Sequence, residues 1–487
     1  MMKITVTVFC LMAVVCTSVN AQKKSKNDPL NNAAIAYLNN SFATYDRLQK
    51  QIWNHAELGF LEKQSSAAHQ QHLRDNGFRV EAGLAGMPTS YVATYGEGSP
   101  VIGILAEFDA LPGLSQDTVP YRKPLVEGGS GHGCGHNVFG VASMAGAVAV
   151  KQWLAENNRR GTVKVFGTPA EEGGGGKVFM VREGLFKGVD IVLDWHPGTG
   201  NAVSVNSGTA IMKYDYIFRG VAAHAAGSPD KGRSALDGVE ALNFMVNLLR
   251  EHVPTSSRIH YVIANGGEAP NVVPDYAKVS YYIRSPQREI LKDLTEWVWQ
   301  AAEAAAKGTQ TTVSKELISG CYELLGNRPL QKLVQQKLEL VGGVIYDERE
   351  RAFAGEIVKG LNLNDTILNG AARILPLREE VPSQGGGSTD VGDVSWNVPT
   401  VSFTTAVFVP GSAGHSWQNV ASCGTTIGTK ALLNAAKVFA LTAIDIYSNP
   451  KLIVEAQSEF EKKRGADFKY LPLLGDSPPR LDYRLKK

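Results

Sequence analysis

Three short segments in the first half of the chain are predicted strands, and each leads into acidic residues or a histidine; this pattern constrains the fold most. The segments cover residues 101–106, 162–167 and 191–194, and they lead into Glu107 and Asp109, into Glu171 and Glu172, and into His196. The first segment is a continuous apolar run, which is typical of a strand buried in a parallel sheet. Helical patterns separate them, so we predict an α/β fold. Because open α/β sheets place their sites at the carboxyl ends of strands, these side chains are expected to lie together.

The segment 131–137, Gly-His-Gly-Cys-Gly-His-Asn, places a thiol and an imidazole two residues apart. In extended backbone, which the glycines permit, Cys134 and His136 would point the same way. The alternative is a tight turn that contains these residues by chance. The metal interpretation is favoured by further nitrogen and oxygen ligands along the chain, which together with the thiol form the mixture that suits a divalent transition metal: Glu171, Glu172, His196 and His415. The pattern predicts a metal-dependent hydrolase.

The adjacent carboxylates of Glu171 and Glu172 would repel each other, and such repulsion raises one pKa. A division of roles resolves this conflict, with one acid binding metal and the other free as a general base. The alternative is a solvated acidic turn. The end of a buried strand is an unusual place for such a turn, so we favour the catalytic interpretation.

Length and charge limit the function classes. A chain of 487 residues is expected to form at least two domains. Its 49 Lys and Arg residues nearly balance its 47 Asp and Glu residues, and no basic stripe is present. These features argue against a nucleic-acid partner.

The N-terminus resembles a secretory signal, because Lys3 precedes an apolar stretch at 4–15 and small residues lie at 19–21. We predict a signal peptide at 1–21 and an exported protein, periplasmic or secreted, with no membrane partner after cleavage. A membrane anchor is the alternative, although the apolar run is shorter than most bilayer spans.

Three cysteines remain after cleavage, Cys134, Cys321 and Cys423, and the sequence leaves open whether the last two pair.

The pattern changes between residues 208 and 320, where a βαββα order with a further strand predicts a smaller α+β domain inserted into the larger one. The hydrolase domain would then cover 33–207 and 321–447, beginning with a helical stretch at 33–75. A C-terminal extension at 448–487 contains an amphipathic stretch and a proline-rich basic end with no evident role. The glycines at 173–176 before Lys177 do not have the spacing of a phosphate loop.

Several short motifs occur together in this order: Asp109-Ala110-Leu111-Pro112, Gly133-Cys134-Gly135-His136-Asn137, Pro169-Ala170-Glu171-Glu172-Gly173, His196-Pro197, His224-Ala225-Ala226 and Asn271-Val272-Val273-Pro274. With them the chain resembles the aminoacylase/carboxypeptidase G metallohydrolases, in the amidohydrolase branch that has a cysteine in place of the bridging aspartate. The resemblance covers about residues 51–440, and the signal peptide and the C-terminal extension depart from it.

The resemblance implies a mixed-sheet di-metal hydrolase domain with an inserted ferredoxin-like dimerisation domain. It also implies two divalent metal ions per subunit, zinc or manganese, held by Cys134, His136, Glu172, His196 and His415. Glu171 would be the base, and Asp109 would orient a metal ligand. Glu107 occupies the position where more distant relatives have a ligating histidine.

The inserted domain carries three further candidates by this resemblance. His224 would reach the site of a neighbouring subunit and stabilise the oxyanion, whereas Asn271 and Arg284 would hold the carboxylate of a small N-acyl amino acid substrate. The partner would be a second copy of the chain, with a related subunit as the alternative. A lone histidine is more often structural, and so is an arginine that closes a strand.

Three hypotheses follow for the function. The first is an amidohydrolase that releases glutamate from p-aminobenzoyl-glutamate. The second is the same chemistry on another N-acyl amino acid or a dipeptide. The third is a non-catalytic protein that binds metal or a folate fragment, and the free acid at Glu171 argues against it.

Overall fold

Two large hydrophobic cores organise the chain, and each forms around its own β-sheet. The computed structural model describes residues 29–380 and 386–485. The signal peptide predicted at 1–21 lies outside these residues. The first part of the chain comprises α1 (Pro29–Asn40), α2 (Phe42–His55), α3 (Lys63–Asp75), β1 (Arg79–Ala82), β2 (Tyr91–Glu97), β3 (Val101–Ala106), α4 (His136–Glu156), β4 (Gly161–Gly167), α5 (Gly176–Arg182), β5 (Ile191–Leu193), β6 (His196–Gly198) and β7 (Ala202–Val203).

The middle strands of the large sheet are parallel. Strand β3 lies between β4 and β5 and pairs in parallel with both, while β1 and β2 add an antiparallel edge. All residues of β3 after Val101 are buried, as its continuous apolar sequence predicts. The carboxyl ends of β3, β4 and β5 therefore meet at one edge of the sheet.

The second core belongs to a smaller α+β unit. It comprises β8 (Ala210–Arg219), α6 (Ala235–Leu249), β9 (Arg258–Asn265), β10 (Tyr276–Ser285), α7 (Arg288–Thr309) and β11 (Thr312–Cys321). The four strands form an antiparallel sheet in the order β11-β8-β10-β9, and α6 and α7 pack on it. Alternate residues of β8 are buried beneath the helices, including Tyr214, Tyr216 and Phe218. The mixed α/β fold and the elements predicted for this segment are confirmed.

The chain then returns to the large core. Its last elements are α8 (Arg328–Val341), α9 (Glu348–Gly360), α10 (Val391–Ser395), β12 (Thr400–Val401), β13 (Phe403–Ala406), α11 (Trp417–Cys423), α12 (Thr426–Ser448) and α13 (Lys451–Arg464). Strand β12 pairs in parallel with β5 and completes the six-stranded sheet. Strand β13 lies between β6 and β7 in a separate three-stranded sheet.

Helix α4 is the central helix of the large core, and it packs closely against α12. A Cβ on Gly146 would lie 2.8 Å from the Cβ of Phe439, so this approach requires a residue without a side chain. Within the described residues, α4 and α12 are the two helices long and apolar enough to cross a membrane, and 83% of each apolar window is buried inside the fold.

The prediction of one continuous helical stretch at 33–75 is wrong, because the segment contains parts of three separate helices. Ala56 ends α2 with φ 42° and Phe60 has φ 65°, and neither conformation continues a right-handed helix. The residues between α2 and α3 pair instead with the segment after β3: Ala110 N–H donates to the carbonyl of Glu57, and Leu58 forms an isolated β-bridge with Ala110. These non-local contacts hold the break between α2 and α3 next to the segment that follows β3.

Candidate metal-dependent active site

Three of the acidic groups predicted from the strand ends and the histidine line one cavity between the large sheet and the smaller unit, whereas Asp109 is buried behind it. Glu107 follows β3, Glu171 and Glu172 follow β4, and His196 begins β6 after β5. The cavity has a volume of about 880 Å³. This value lies within the range of about 300–1,000 Å³ that is typical of small-molecule sites.

The backbone before Glu171 is strained. Ala170 is buried with φ 59°, a left-handed conformation that costs a residue with a Cβ about 1–3 kcal/mol. Its N–H donates to Oε1 of Glu62 at 2.8 Å, and its carbonyl accepts from the N–H of Gly174 at 2.9 Å. These buried contacts stabilise the turn, which places both carboxylates of the acid pair at the cavity.

Cys134 and His136 lie in a turn that opens α4, so the predicted extended conformation is wrong. Gly135 has φ 76°, and His136 is the first residue of the helix. A Cβ on Gly135 would lie 2.9 Å from the Cβ of Pro197, and this close approach also requires glycine. The two side chains converge nevertheless, because Cys134 Sγ lies 3.4 Å from Nε2 of His196 and the ring of His136 lies 5.8 Å from that of His196.

Asp109 holds His136 in place. Its Oδ1 lies 2.9 Å from Nδ1 of His136, and its Oδ2 accepts from the N–H of Glu172 at 2.9 Å. Burial alone would raise the pKa of Asp109, but the facing His136 and the two hydrogen bonds hold that pKa below its usual range. The ionised carboxylate therefore favours a proton on Nδ1 of His136, so that Nε2 is the nitrogen that could bind a metal ion; in this structure Nε2 lies 3.0 Å from Oε2 of Glu107.

Potential ligand atoms form two sets that share Cys134. Cys134, His136 and His196 form one set, in which all ligand atoms lie within 4.8 Å of one another. Cys134, Glu172 and His415 form the other, and His415 Nε2 lies 3.4 Å from Oε1 of Glu172.

One ligand atom from each set, Nε2 of His136 and Oε1 of Glu172, is buried and forms no hydrogen bond with the described residues. Their nearest charged neighbours are Oε2 of Glu107, 3.0 Å from Nε2 of His136, and Nε2 of His415, 3.4 Å from Oε1 of Glu172. Such atoms are costly to bury unless a ligand satisfies them. The donor set of sulfur, nitrogen and oxygen therefore fits a pair of divalent transition metal ions.

A third possible set contains Glu107, His136 and Glu171, but Glu107 already has a cation. Nζ of Lys177 lies 2.6 Å from Oε1 of Glu107 and 2.7 Å from Oδ1 of Asp390, and all three side chains are buried. The ammonium offsets the carboxylate charge that a metal ion would otherwise offset.

Sequence reasoning missed this role of Lys177, which appeared only in the rejected phosphate-loop motif. The sequence did contain one signal: Lys177 follows the acid pair Glu171-Glu172, and Glu107 at the end of β3 is an acid without an assigned partner.

Glu171 is partly exposed to the cavity. Burial raises its pKa well above the ordinary value, and the charges of Glu107 and Glu172 raise it further. A carboxyl group whose pKa is raised holds a proton more readily than an ordinary glutamate, as a general base must do during its reaction.

Arg284 on β10 lines the cavity, whereas His224 and Asn271 do not. Nη1 of Arg284 donates to Oγ of Ser388 at 3.0 Å, and its Nε is buried without a partner. His224 and Asn271 are exposed neighbours on the smaller unit, where Ala225 N–H donates to the Asn271 carbonyl at 3.0 Å. A single chain thus brings the metal candidates and Arg284 together and leaves His224 and Asn271 at the surface.

The remaining cysteines lie apart from the cavity lining. Cys321 and Cys423 are buried free thiols, so they do not pair with each other. Sequence reasoning also missed Arg484 in the C-terminal extension, which lines the cavity and donates from Nη2 to the carbonyl of Glu172. The basic composition of that end was the only signal in the sequence.

A set of cysteine, histidine and glutamate ligands that meets at the carboxyl edge of a mixed sheet, beside a free carboxylate, is typical of a metal-dependent hydrolase. Residues 103–445 match the family described as Peptidase family M20/M25/M40, and the chain belongs to it. This finding confirms the resemblance to the aminoacylase/carboxypeptidase G metallohydrolases. The chain is therefore a hydrolase that acts on amide C–N bonds.

Individual relatives agree with this assignment. The chain is 38% identical over 442 residues to the B-type subunit of p-aminobenzoyl-glutamate hydrolase of Escherichia coli, covering 86% of this chain and 92% of the relative. It is 30% identical over 438 residues to the Xaa-Arg dipeptidase of Mus musculus, covering 85% of this chain and 88% of the relative. A Bacillus subtilis structure described as a dinuclear metal binding peptidase from the M20 family aligns with a TM-score of 0.56 at 17% identity, covering 84% of this chain and 99% of that chain.

Proposed function

We propose that this protein is a metal-dependent amidohydrolase that cleaves p-aminobenzoyl-glutamate or a similar N-acyl amino acid. The observation that carries the proposal is the position of Glu171. It faces the cavity beside two ligand sets that share Cys134 and belongs to neither of them. A protein that only bound metal or a folate fragment would have no use for this free acid.

Two divalent ions would be held by Cys134, His136, Glu172, His196 and His415, with Cys134 contributing to both. When bound, such ions polarise a carbonyl oxygen and lower the pKa of a water molecule to about 7. The thiolate favours zinc, and manganese is the alternative.

The chain's own groups supply the proton transfers. Glu171 takes a proton from the attacking water and passes it to the nitrogen of the leaving amine as the amide bond breaks. Its raised pKa suits both steps, because the carboxyl must accept a proton and then release it. Asp109 keeps His136 oriented throughout, through the hydrogen bond to Nδ1.

The substrate's carboxylate would bind at the β8–β10 wall of the cavity. Arg284 and Lys213 both line it, and neither has an ion-pair partner among the described residues. A guanidinium suits bidentate contact with a carboxylate. The cationic lining disfavours a substrate with an arginine side chain, so it supports an N-acyl amino acid over the activity for which the mouse relative is named.

We further propose that His224 and Asn271 act on the cavity of a neighbouring subunit. Their exposure and their position outside the cavity of their own chain support this arrangement. His224 would stabilise the oxyanion of the tetrahedral intermediate, and Asn271 would assist in holding the carboxylate. A homodimer is the simplest assembly, and a related subunit is the alternative because the Escherichia coli relative is itself named as a subunit.

Export after cleavage of residues 1–21 remains part of the proposal.

The test is a hydrolysis assay on purified protein supplied with Mn²⁺ or Zn²⁺. The panel contains p-aminobenzoyl-glutamate, other N-acyl amino acids and dipeptides. We expect N-acyl amino acids with a free carboxylate to be cleaved, and Xaa-Arg dipeptides to be poor substrates. A protein that binds metal but cleaves no member of the panel would contradict the proposal and favour the binding function.

A further inference from the structure

The C-terminal extension follows a defined path towards the catalytic cavity. The hydroxyl of Tyr470 donates to Oδ1 of Asp393 at 2.7 Å, and the hydroxyl of Tyr322 donates to the carbonyl of Leu471 at 2.6 Å. Further along, Nη1 of Arg182 donates to the carbonyls at 475 and 477, at 3.1 and 2.8 Å. These contacts fix the extension to α5, α10 and the end of β11.

The side chain of Tyr483 is closely packed next to the turn that carries the acid pair. Its ring packs edge-on against Phe60, with centroids 5.8 Å apart. Two glycines make room for it, because a Cβ on Gly59 would overlap the Tyr483 hydroxyl and a Cβ on Gly173 would lie 3.1 Å from its ring. This packing places the next residue, Arg484, beside Glu172.

Arg484 is a cation held by two neighbours. Nη2 donates to the carbonyl of Glu172, and the guanidinium lies 4.8 Å from the centroid of the Tyr483 ring. Nε is buried without a hydrogen-bond partner, and no carboxylate in the described part of the chain forms an ion pair with Arg484. Because a guanidinium has five N–H donors, others besides the one that binds Glu172 are available to a ligand in the cavity.

Two further cations, Arg284 and Lys213, line the same cavity from the sheet of the smaller unit. Arg284 pairs with Ile211 in the β8–β10 ladder, and Tyr282 pairs with Lys213, so these four side chains share one face of the sheet. All four line the cavity, as does Arg484. Unpaired cationic groups therefore face the cavity both from the smaller unit and from the C-terminal extension.

We propose that Arg484 is a specificity-determining residue that binds a second carboxylate of the substrate, so that the enzyme selects N-acyl derivatives of acidic amino acids. This inference rests on the proposed function. One substrate carboxylate binds at Arg284 and Lys213, and the other binds the free N–H groups of Arg484. The C-terminal extension, which departs from the family resemblance, would thereby contribute a substrate contact.

The test measures binding without turnover, by calorimetry on the metal-loaded full chain. The probes are two non-cleavable analogues of N-benzoyl-glutamate in which a methylene replaces the amide nitrogen. One analogue keeps the side-chain carboxylate, and the other has a carboxamide there. The variants are Arg484→Gln, Arg484→Lys and the matched control Arg480→Gln, which alters an exposed arginine of the same extension that pairs with Glu316.

We expect the wild-type protein to bind the dicarboxylate roughly 10-fold or more tightly than the carboxamide, because a hydrogen bond to a charged group contributes about 1.5–3 kcal/mol. Arg484→Gln should abolish this preference, Arg484→Lys should keep part of it, and Arg480→Gln should keep all of it. Metal content should be unchanged in every variant.

The inference is overturned if Arg484→Gln keeps the wild-type preference, if the wild-type protein does not prefer the dicarboxylate or binds neither analogue, or if Arg484→Gln loses its metal. A parallel turnover assay separates the two proposals. A wild-type protein that binds the dicarboxylate through Arg484 but does not cleave N-benzoyl-glutamate refutes the proposed hydrolysis and leaves the carboxylate site intact.

Discussion

Asp109 joins two parts of the candidate site, because one of its oxygens holds His136 and the other accepts the backbone N–H of Glu172 at 2.9 Å. The carboxylate thus orients a ligand from each proposed metal set. It does so from a fully buried position at the end of β3. Residues that orient metal ligands in this way tune affinity without touching the metal.

Replacing Asp109 by Asn should therefore weaken metal binding. The amide keeps the shape of the side chain but removes the charge that favours a proton on Nδ1 of His136, and losses of about 10-fold to 100-fold in affinity are typical of such changes. Competition with a fluorescent chelator measures the affinity. Asp194→Asn provides a control acid in the same cavity but outside the ligand sets, and equal affinity in Asp109→Asn and wild type would contradict the orienting role.

Glu171→Gln should lower kcat by roughly 100-fold to 10,000-fold, the range expected for loss of a general base. Bound metal should stay at the wild-type level, because Glu171 belongs to neither set that shares Cys134. The matched variant Glu172→Gln should lose metal instead. Metal analysis of both purified proteins decides the assignment, and metal loss in Glu171→Gln alone would mean that the two glutamates have exchanged roles.

Cys134→Ser should reduce the metal content, because a serine hydroxyl is not readily deprotonated into a ligand shared by two ions. Cys423→Ser is the control, since this buried thiol donates to the backbone carbonyls of His132 and Val420. Metal content and hydrolysis rate should be unchanged in the control. If Cys134→Ser also keeps both, the thiolate is not the shared ligand.

Assembly can be tested by mixing two inactive variants, Glu171→Gln and His224→Ala. If His224 acts on the neighbouring subunit, each mixed dimer has one complete site and one site that lacks both groups. Equal and free exchange makes half of the dimers mixed, so activity should return to roughly a quarter of wild type. The variants are unfolded, mixed and refolded, and a tagged pull-down verifies exchange. No recovery after verified exchange would place His224 on its own chain.

Much of the fold could be predicted because the signals were local. The run at 101–106 forms β3 with the predicted bounds, and the βαββα order with a further strand that was predicted between residues 208 and 320 is present in the smaller unit. Acids at the ends of parallel strands indicated which groups would meet at the cavity, and the structure places Glu107 and Glu171 there.

The features that sequence reasoning missed depend on distant contacts. The break after Ala56 is stabilised by Ala110, and nothing in the local sequence of 33–75 required it. Lys177 meets Asp390 across more than 200 residues, and Arg484 reaches the Glu172 carbonyl from the other end of the chain. Such pairings arise from the packing of the whole fold, so the local sequence could indicate a basic residue but not the partner that it meets.

Metal titration tests the central claim most directly. The protein is stripped with a chelator, Mn²⁺ or Zn²⁺ is added in steps, and bound metal per chain is measured beside hydrolysis of the best substrate in the panel. We predict that the stripped protein is inactive and that activity reaches its plateau at two bound ions per chain. Full activity in the stripped protein, or a plateau at one ion, would contradict a two-metal hydrolase built around Cys134.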